Sequence, residues 1–182
     1  HAGPGYGGSC FPKDTQALAR TAQEAHAPVR LVETTIAINA ARKKAMAQRI
    51  IKACGGSVKD KTIAILGLTF KPNTDDMRDA PALDIIPALQ KAGAEIRAHD
   101  PEGMEHAKTM LENVIFCNDA YEAAHQADAA VIVTEWDAYR ALDFAQLKEV
   151  MQSPVLVDLR NIYRSSEMTR HGFTYIGIGR KI

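Results

Sequence analysis

Apolar residues recur at helical spacing through the first third of the chain. A first helix is predicted over residues 14–24, and a second, long helix from Val29 to Cys54, where Gly55 and Gly56 end it. Two shorter helices with a kink near Asn39 are the alternative for the second segment. Three basic residues within it are predicted to face water: Arg42, Lys43 and Lys44. A helix this long is typical of an element that links two domains or pairs with a second subunit.

The apolar pattern changes after residue 60, where short apolar runs alternate with helical segments. Residues 62–68 form a continuous apolar run, which predicts a strand buried on both faces. Further strands are predicted at 95–100, 114–117, 130–134, 154–158 and 174–178, and helices at 80–91, 104–111, 121–126 and 144–151. Pro87 predicts a bend or a break in the 80–91 helix. The alternation predicts an α/β fold, in which a helical segment with a long linking helix precedes a doubly wound, mostly parallel Rossmann-like sheet.

Composition narrows the classes of function. Lys+Arg and Asp+Glu number 22 each, so no overall charge draws the protein to nucleic acid or to a membrane surface. No apolar stretch approaches the ~20 residues of a membrane span, and no signal peptide is visible. The three cysteines are widely spaced, so no disulfide framework and no zinc site is expected, and free thiols favour a reducing, cytoplasmic compartment. The histidines show no spacing suited to a metal.

The run Gly3-Pro-Gly-Tyr-Gly-Gly-Ser-Cys-Phe-Pro-Lys-Asp14 carries the strongest candidate chemistry. It places Cys10 after a glycine-rich loop, beside Lys13 and just before a predicted helix. A thiol is a nucleophile as the thiolate, which a helix N-terminus and a neighbouring cation favour. Asp14 or Thr15 is expected to cap the helix. The alternative is a tight turn that holds a small buried thiol.

Three basic residues lie where a parallel sheet binds its ligands, beyond the carboxyl ends of the strands. Lys71 and Arg78 follow the 62–68 strand and Arg160 follows the 154–158 strand, and all three are suited to phosphate. Solvated loop charges are the alternative. The first loop has Gly67 but no Gly-x-Gly-x-x-Gly fingerprint, so no dinucleotide is expected on this domain. Residues 135–137 either line the same site or cap the next helix.

These residues together indicate an α/β domain that binds anions, joined by helices to a loop that carries a nucleophilic Cys10. The ligand expected for such a site is a phosphorylated or nucleotide-linked small molecule, and the chemistry would be covalent, through sulfur. The chain has no initial Met and opens inside a glycine-rich loop, so we expect a piece of a longer protein.

Several stretches of the chain resemble UDP-glucose 6-dehydrogenases, a family within the wider nucleotide-sugar dehydrogenases. They are Gly5-Tyr-Gly-Gly-Ser-Cys-Phe-Pro-Lys-Asp14, Gly67-Leu-Thr-Phe-Lys-Pro-Asn-Thr-Asp-Asp-Met-Arg78 with Ala80-Pro81, Thr134-Glu-Trp136 and Asp158-Leu-Arg-Asn161. The resemblance covers essentially the whole chain. It implies that residues 1–56 hold a catalytic-cysteine loop and central helices that form a homodimer. It also implies that residues 57–182 bind the UDP-sugar and that an N-terminal NAD-binding domain is missing from the chain.

The reaction implied by the resemblance is the NAD-dependent oxidation of the C6 alcohol of UDP-glucose to UDP-glucuronate, in two steps. Cys10 would attack the intermediate aldehyde to give a thiohemiacetal and then a thioester, and Asp14 would help position or activate the water that hydrolyses it. Lys13 and Arg78 match contacts to NAD. Five positions match substrate contacts: Tyr6, Gly7, Phe70, Lys71 and Arg160. No metal is implied, and the chain alone is expected to be inactive.

Two other functions remain open. GDP-mannose dehydrogenases carry a nearly identical cysteine loop, usually with leucine in place of Phe11, so GDP-mannose or another nucleotide sugar is the first alternative. From a different class, the chain would serve only as a non-catalytic nucleotide-sugar binding and dimerisation module. Alkylation of Cys10 distinguishes the two classes. A bound nucleotide sugar protects the thiol in an enzyme and leaves its alkylation unchanged in such a module.

Overall fold

The computed structural model describes residues 3–179 as two N-terminal helices followed by an α/β sheet. The N-terminal helices are α1 (Phe11–Glu24) and α2 (Arg30–Ala53). The strands are β1 (Thr62–Leu66), β2 (Glu95–His99), β3 (Val114–Phe116), β4 (Ala129–Ile132), β5 (Val155–Asp158) and β6 (Thr174–Gly177). The later helices are α3 (Ala82–Lys91), α4 (Met104–Met110), α5 (Ala120–Ala124), α6 (Asp137–Arg140), α7 (Phe144–Val150) and α8 (Ser165–Arg170).

The strands form one sheet in the order β3-β2-β1-β4-β5-β6, and each pair of neighbours in it is parallel. The predicted doubly wound, Rossmann-like sheet is confirmed, and it is wholly parallel within residues 3–179 rather than mostly so. The chain leaves β1 toward β2 and β3 on one side and returns to β4 on the other, so the connections diverge between β1 and β4. Such a point opens a crevice beyond the carboxyl ends of the strands.

The sheet separates two apolar cores, one on each of its faces. Ile63 and Ile65 of β1 belong to the core that also contains residues of α2 and α3, whereas Ala64 and Leu66 belong to the core that contains Trp136. All four of these β1 side chains are fully buried, as the continuous apolar run predicts. Burying one such aliphatic side chain as large as Leu or Ile contributes about 1.5–3 kcal/mol. This burial on both faces fixes β1 at the centre of the sheet.

Helix α2 is a single element of 24 residues, so the long helix is confirmed and the alternative of two shorter helices is wrong. Its basic residues differ in exposure. Lys44 is exposed as predicted, Arg42 is half-buried, and Lys43 is buried with 6% of its surface exposed. The prediction for Lys43 is wrong because its ammonium group donates to Asp79 O at 2.7 Å and lies 3.5 Å from the Asp84 carboxylate. Such pairing makes burial of a charge tolerable.

Helix α1 begins at Phe11, before the predicted start at residue 14. Cys10 is its N-cap residue and makes no side-chain capping bond, so the cap expected from Asp14 or Thr15 is wrong. The Thr15 hydroxyl instead donates to Phe11 O at 2.8 Å. Pro12 is accepted in the first turn because backbone N–H groups have no intrahelical acceptor there.

The remaining elements match the prediction closely, with two exceptions. Helix α3 continues through Pro87 without a break, although proline removes one helical hydrogen bond. Helices α6 and α8 were not predicted, because segments of four and six residues are too short for a periodic apolar pattern. Other bounds differ from the prediction by one or two residues at an end. Within residues 3–179, no helix has both the length and the apolar character to cross a bilayer.

Candidate functional site

Helix α2 holds the glycine-rich loop that leads to Cys10. Asn39 accepts a hydrogen bond from Tyr6 N through Oδ1 at 2.8 Å and donates one from Nδ2 to Tyr6 O at 3.1 Å. Arg42 donates from Nε to Gly3 O at 2.6 Å. A Cβ at Gly5 would lie 2.8 Å from Cγ of Lys43, so a larger residue would push the loop off the helix. The loop is therefore positioned by side chains distant in sequence.

The same loop packs against the long connection between β1 and α3. Gly8 N donates to Arg78 O at 2.7 Å. A Cβ at Gly7 would lie 2.3 Å from Asp79 O, the carbonyl oxygen that Lys43 also binds. Glycine allows this close approach of two backbones because it has no Cβ. The contact places the Cys10 loop beside the residues that follow β1.

A cavity of about 580 Å³ lies between the glycine-rich loop, α2 and the residues that follow β1 and β5. Its lining consists of Gly3, Gly5, Tyr6, Gly7, Thr35, Ile38, Asn39, Arg42, Phe70 and Arg160. Four of the five predicted substrate positions thus share one cavity: Tyr6, Gly7, Phe70 and Arg160. Phe70 follows β1 and Arg160 follows β5, with β4 between those strands, so the cavity lies at the crevice where the connections diverge. Its volume is that of a small-molecule site.

Arg160 is held in place by backbone oxygens. Its Nε donates to Val133 O at 2.7 Å and its Nη2 to Phe70 O at 3.1 Å. Glu135 Oε2 lies 3.0 Å from Nε, but this oxygen accepts no hydrogen bond from the residues that the structure describes. Burial lowers the pKa of the Arg160 guanidinium, and the charge of Glu135 opposes that shift. A largely buried guanidinium with N–H donors to spare is suited to bind an anion.

A second cavity, of about 590 Å³, contains Cys10. Its lining consists of Gly8, Ser9, Cys10, Lys13, Arg78, Asp79 and Met110. Cys10 is exposed, and its Sγ lies 3.6 Å from the Ser9 hydroxyl. Cys54 and Cys117 are buried, and burial raises the pKa of both thiols. The alternative in which Cys10 is a small buried thiol is therefore wrong, and Cys10 is the accessible cysteine of the chain.

Both predicted cofactor positions line this second cavity. Lys13 is exposed, and its Nζ lies 3.6 Å from the Asp14 carboxylate. Arg78 forms a bidentate pair with Asp76, with Nε to Oδ1 at 2.9 Å and Nη2 to Oδ2 at 2.8 Å. Hydrogen bonding between the two raises the pKa of Arg78 and lowers the pKa of Asp76. A phosphate that bound Arg78 would have to share it with this carboxylate.

Two predicted site residues line neither cavity. Lys71 is exposed, with its Nζ 5.3 Å from the centre of the Phe70 ring. Asp14 is exposed on the first turn of α1. Each is the immediate neighbour of a lining residue, so a side-chain rotation is enough to change its distance from the cavity. No cluster of residues suited to a metal ion occurs within residues 3–179.

Two buried carboxylates that shape the site, Asp158 and Asp100, have no role assigned to them by the sequence pattern. Asp158 accepts hydrogen bonds from Arg160 N at 2.9 Å and Tyr163 N at 3.1 Å, which fixes the turn that carries Arg160. Asp100 accepts from Leu68 N at 2.6 Å and from Trp136 Nε1 at 3.1 Å. The available signal was an aspartate at, or directly after, the carboxyl end of a predicted strand.

The segment 135–137 contains Trp136, the N-cap residue of helix α6. No side-chain capping bond is present at the start of this helix. Trp136 instead binds Asp100, and Glu135 lies beside Arg160. Capping of the helix by a side chain of this segment is therefore wrong, and two of its three side chains are engaged around the crevice.

The strand order, the crevice where the connections diverge and the anion-suited Arg160 define a nucleotide-binding type of doubly wound α/β protein. Comparison with family models narrows the assignment. Residues 64–165 match the UDP binding domain of the UDP-glucose/GDP-mannose dehydrogenase family, and residues 1–41 match its central domain. The chain belongs to the UDP-glucose/GDP-mannose dehydrogenase family, which confirms the resemblance carried by the cysteine loop and by the loop after β1.

Individual relatives agree with this assignment. The chain is 61% identical to the UDP-glucose 6-dehydrogenase of Rhizobium meliloti over 180 aligned residues. The aligned region covers 99% of this chain and 41% of that protein. It is 43% identical to the UDP-glucose 6-dehydrogenase TuaD of Bacillus subtilis, over 98% of this chain and 39% of the relative. A solved UDP-glucose dehydrogenase from Pyrobaculum islandicum superposes with a TM-score of 0.81 at 30% identity, over 96% of this chain and 38% of that one. The chain spans about two fifths of the length of the curated relatives.

Proposed function

We propose that this chain is the C-terminal part of a UDP-glucose 6-dehydrogenase, an NAD-dependent oxidoreductase that converts the C6 alcohol of UDP-glucose to a carboxylate. The observation that carries the proposal is the arrangement of one loop. The glycine-rich loop that ends in the exposed Cys10 also lines the cavity that contains Arg160. A nucleotide bound at Arg160 would therefore bring its sugar close to the thiol. The names of the relatives support the choice of substrate.

In the proposed complex, UDP-glucose occupies the larger cavity. Arg160 binds a phosphate, because it lines this cavity and its Nη1 has no acceptor among residues 3–179. None of the lining residues carries a carboxylate. The ring of Phe70 packs against the ligand, and the backbone of Tyr6 and Gly7 lies over the sugar. Lys71 has a long, flexible side chain beside Phe70, and we propose that it reaches a sugar hydroxyl or a phosphate.

Cys10 is proposed as the nucleophile that takes the aldehyde on to the acid. Its thiolate adds to the C6 carbon: an S–C bond forms, the carbonyl π electrons move to oxygen, and protonation gives a thiohemiacetal. When bound, NAD would supply the oxidant for the hydride that leaves C6, and loss of that hydride together with the hydroxyl proton would leave a thioester on Cys10. Water attacks the thioester, which releases the carboxylic acid and restores the thiol. Asp14 lies one helical turn from Cys10, since its N–H donates to Cys10 O at 2.8 Å, and we propose that it activates this water.

Lys13 and Arg78 are the residues proposed to contact NAD. Both line the cavity of Cys10, and both carry a positive charge suited to a cofactor phosphate. The loop after β1 contains Gly67 but lacks the other glycines of the Gly-x-Gly-x-x-Gly fingerprint. This sheet therefore does not provide the glycine-rich loop that usually binds the phosphates of a dinucleotide. We propose that a separate N-terminal domain binds most of NAD and that the chain alone does not turn over.

We propose that residues 1–56 form the cysteine loop with its central helices, and that residues 57–182 form the UDP-sugar domain. Helix α2 is proposed to pair with a second copy of the chain. Leu31 supports this because it is 84% exposed, and Ile38, which also lines the larger cavity, is 61% exposed. Exposed apolar surface of this kind marks an interface. The exposed, unpaired thiol fits a cytoplasmic setting.

Sedimentation tests the pairing of α2. We expect the protein to sediment as a dimer and the Leu31→Glu variant to dissociate at concentrations where the unsubstituted protein does not, because a carboxylate is costly to bury in an apolar interface. Arg20→Glu on α1 is the control, since that side chain is 83% exposed. A monomer at high concentration would contradict the proposed dimer.

Alkylation of Cys10 tests the proposed function on this protein. Iodoacetamide is expected to modify Cys10 selectively, because the other two thiols are buried. UDP-glucose at about ten times its Kd should slow the modification roughly tenfold, since about one protein in eleven is then free. Mass spectrometry of the modified peptide measures the rate.

The choice of ligand separates the possible results of this experiment. Stronger protection by GDP-mannose than by UDP-glucose would identify the other branch of the family. Binding of UDP-glucose with no change in the alkylation rate of Cys10 would mean that the chain is a binding module without covalent chemistry.

A further inference from the structure

We propose that Arg42 is a second phosphate-binding residue of the UDP-sugar cavity and acts together with Arg160. This proposal rests on the function proposed above. From the sequence, Arg42 was predicted to face water. In the structure it is half-buried and lines the same cavity as Arg160.

The two guanidinium groups converge on one residue of the glycine-rich loop. Nε of Arg42 donates to Gly3 O at 2.6 Å. Nη1 of Arg160 would lie 3.1 Å from a Cβ placed on Gly3. Gly3 therefore binds Arg42 through its carbonyl oxygen and lies close to the guanidinium of Arg160. Because both side chains line one cavity, a single ligand there is able to meet both.

Both arginines keep N–H donors that the protein does not use. Nη1 and Nη2 of Arg42 have no hydrogen-bond acceptor among residues 3–179. Arg160 uses Nε and Nη2 to bind backbone oxygens and leaves Nη1 without an acceptor within the same range. Guanidinium groups bind phosphate through pairs of parallel N–H donors, so these unused donors form a suitable surface for a diphosphate.

The net charge of the side chains around the cavity complements that of a diphosphate. Glu135 is the carboxylate beside Arg160, at 3.0 Å. No carboxylate of residues 3–179 lies within ion-pair distance of Arg42. Two guanidinium groups and one carboxylate leave a net positive charge, whereas the diphosphate of a nucleotide sugar carries two negative charges. Lys43, the next residue on α2, does not add to this charge because it pairs with Asp84.

Titration of UDP into the protein and its Arg42 variants tests the proposal. Arg42→Gln should weaken UDP binding by roughly ten- to a hundredfold, the range of a lost hydrogen bond to a charged group. Arg42→Lys keeps the charge but not the paired donors, so its Kd should lie between those of the wild type and Arg42→Gln. Arg30→Gln on the same helix is the control, because that side chain is 78% exposed and pairs with Glu33.

Salt dependence separates a phosphate contact from a purely structural role of Arg42. If Arg42 binds phosphate, the Kd of Arg42→Gln should rise less steeply with NaCl than that of the wild type, because one screened charge contact is gone. An equal slope with weaker binding would show that Arg42 only holds Gly3, and this would overturn the proposal. A Kd within twofold of the wild type would overturn it as well.

Three further outcomes also decide the test. Arg42→Lys retains a donor for Gly3 O, so it reports on the phosphate contact even if Arg42→Gln fails to fold. If Arg42→Lys has the Kd and the salt slope of the wild type, paired donation to phosphate is ruled out. If the wild-type protein binds no UDP, the proposed function falls and this proposal falls with it. Normal wild-type binding with unaffected Arg42 variants overturns the role of Arg42 alone.

Discussion

Replacing Cys10 with serine in the complete enzyme is expected to reduce the formation of UDP-glucuronate by roughly 10⁴-fold or more, the scale seen when a covalent nucleophile is removed. Serine is close to cysteine in size, so UDP-glucose should still bind with nearly its normal Kd. A serine hydroxyl without a neighbouring base is far less ionised than a thiol and does not form the covalent intermediate. The measurements are the rate of acid production and, separately, the Kd for UDP-glucose.

Cys54→Ala is the matched control for this substitution. It removes a thiol that belongs to the apolar core packed against α2 and that lines neither cavity. It should cost some stability and leave the catalytic rate per folded enzyme close to normal. If Cys10→Ser enzyme produces acid at an undiminished rate, the covalent role of Cys10 is wrong.

Replacing Asp100 with alanine is expected to destabilise the fold by about 3 kcal/mol or more, because several buried donors lose their acceptor at once. Asp100 is 1% exposed. Its Oδ2 accepts from Leu68 N at 2.6 Å, from Thr69 N at 3.1 Å and from Trp136 Nε1 at 3.1 Å. Its Oδ1 accepts from two further backbone N–H groups, at 3.0 and 2.7 Å. One carboxylate thus joins the ends of β1 and β2 to the segment after β4.

Urea unfolding of Asp100→Ala and Asp137→Ala measures this difference. Asp137 is the control because its side chain is 95% exposed and its nearest cation, on Arg140, lies 3.5 Å away. Asp137→Ala should change the free energy of unfolding by less than about 0.5 kcal/mol. A loss below about 1 kcal/mol for Asp100→Ala would mean that water satisfies those donors when the carboxylate is gone.

The sheet could be predicted from the sequence because local pattern determines most of it. Central strands buried on both faces, such as β1, have to be apolar throughout, whereas β2 alternates apolar and polar residues. Helices α6 and α8 were not predicted because they are shorter than two turns of a periodic pattern. Exposure of Lys43 was predicted wrongly because its acceptor, Asp79 O, is a backbone atom of a distant loop. Sequence pattern gives no information about such an acceptor.

The site was predictable in its chemistry but not in its arrangement. The glycine-rich loop and the basic residues after the strands indicate a reactive thiol and an anion site. Their separation into two cavities lined by consecutive parts of one loop depends on long-range contacts, among them the bonds between Asn39 and Tyr6 and between Gly8 and Arg78. The sequence predicts a solvent-exposed Arg42 because a run of three basic residues is usually a hydrated face.

The central claim is that the sulfur of Cys10 bonds to C6 of the sugar, and mass spectrometry of quenched enzyme tests it most directly. The complete enzyme carrying Asp14→Asn, in which hydrolysis of the thioester should be slow, would be mixed with UDP-glucose and NAD, quenched in acid and digested. The account predicts that the peptide containing Cys10 gains the mass of the bound UDP-sugar acyl group. Acid production during which this peptide keeps its unmodified mass at every time point, in this variant and in the wild type, would contradict it.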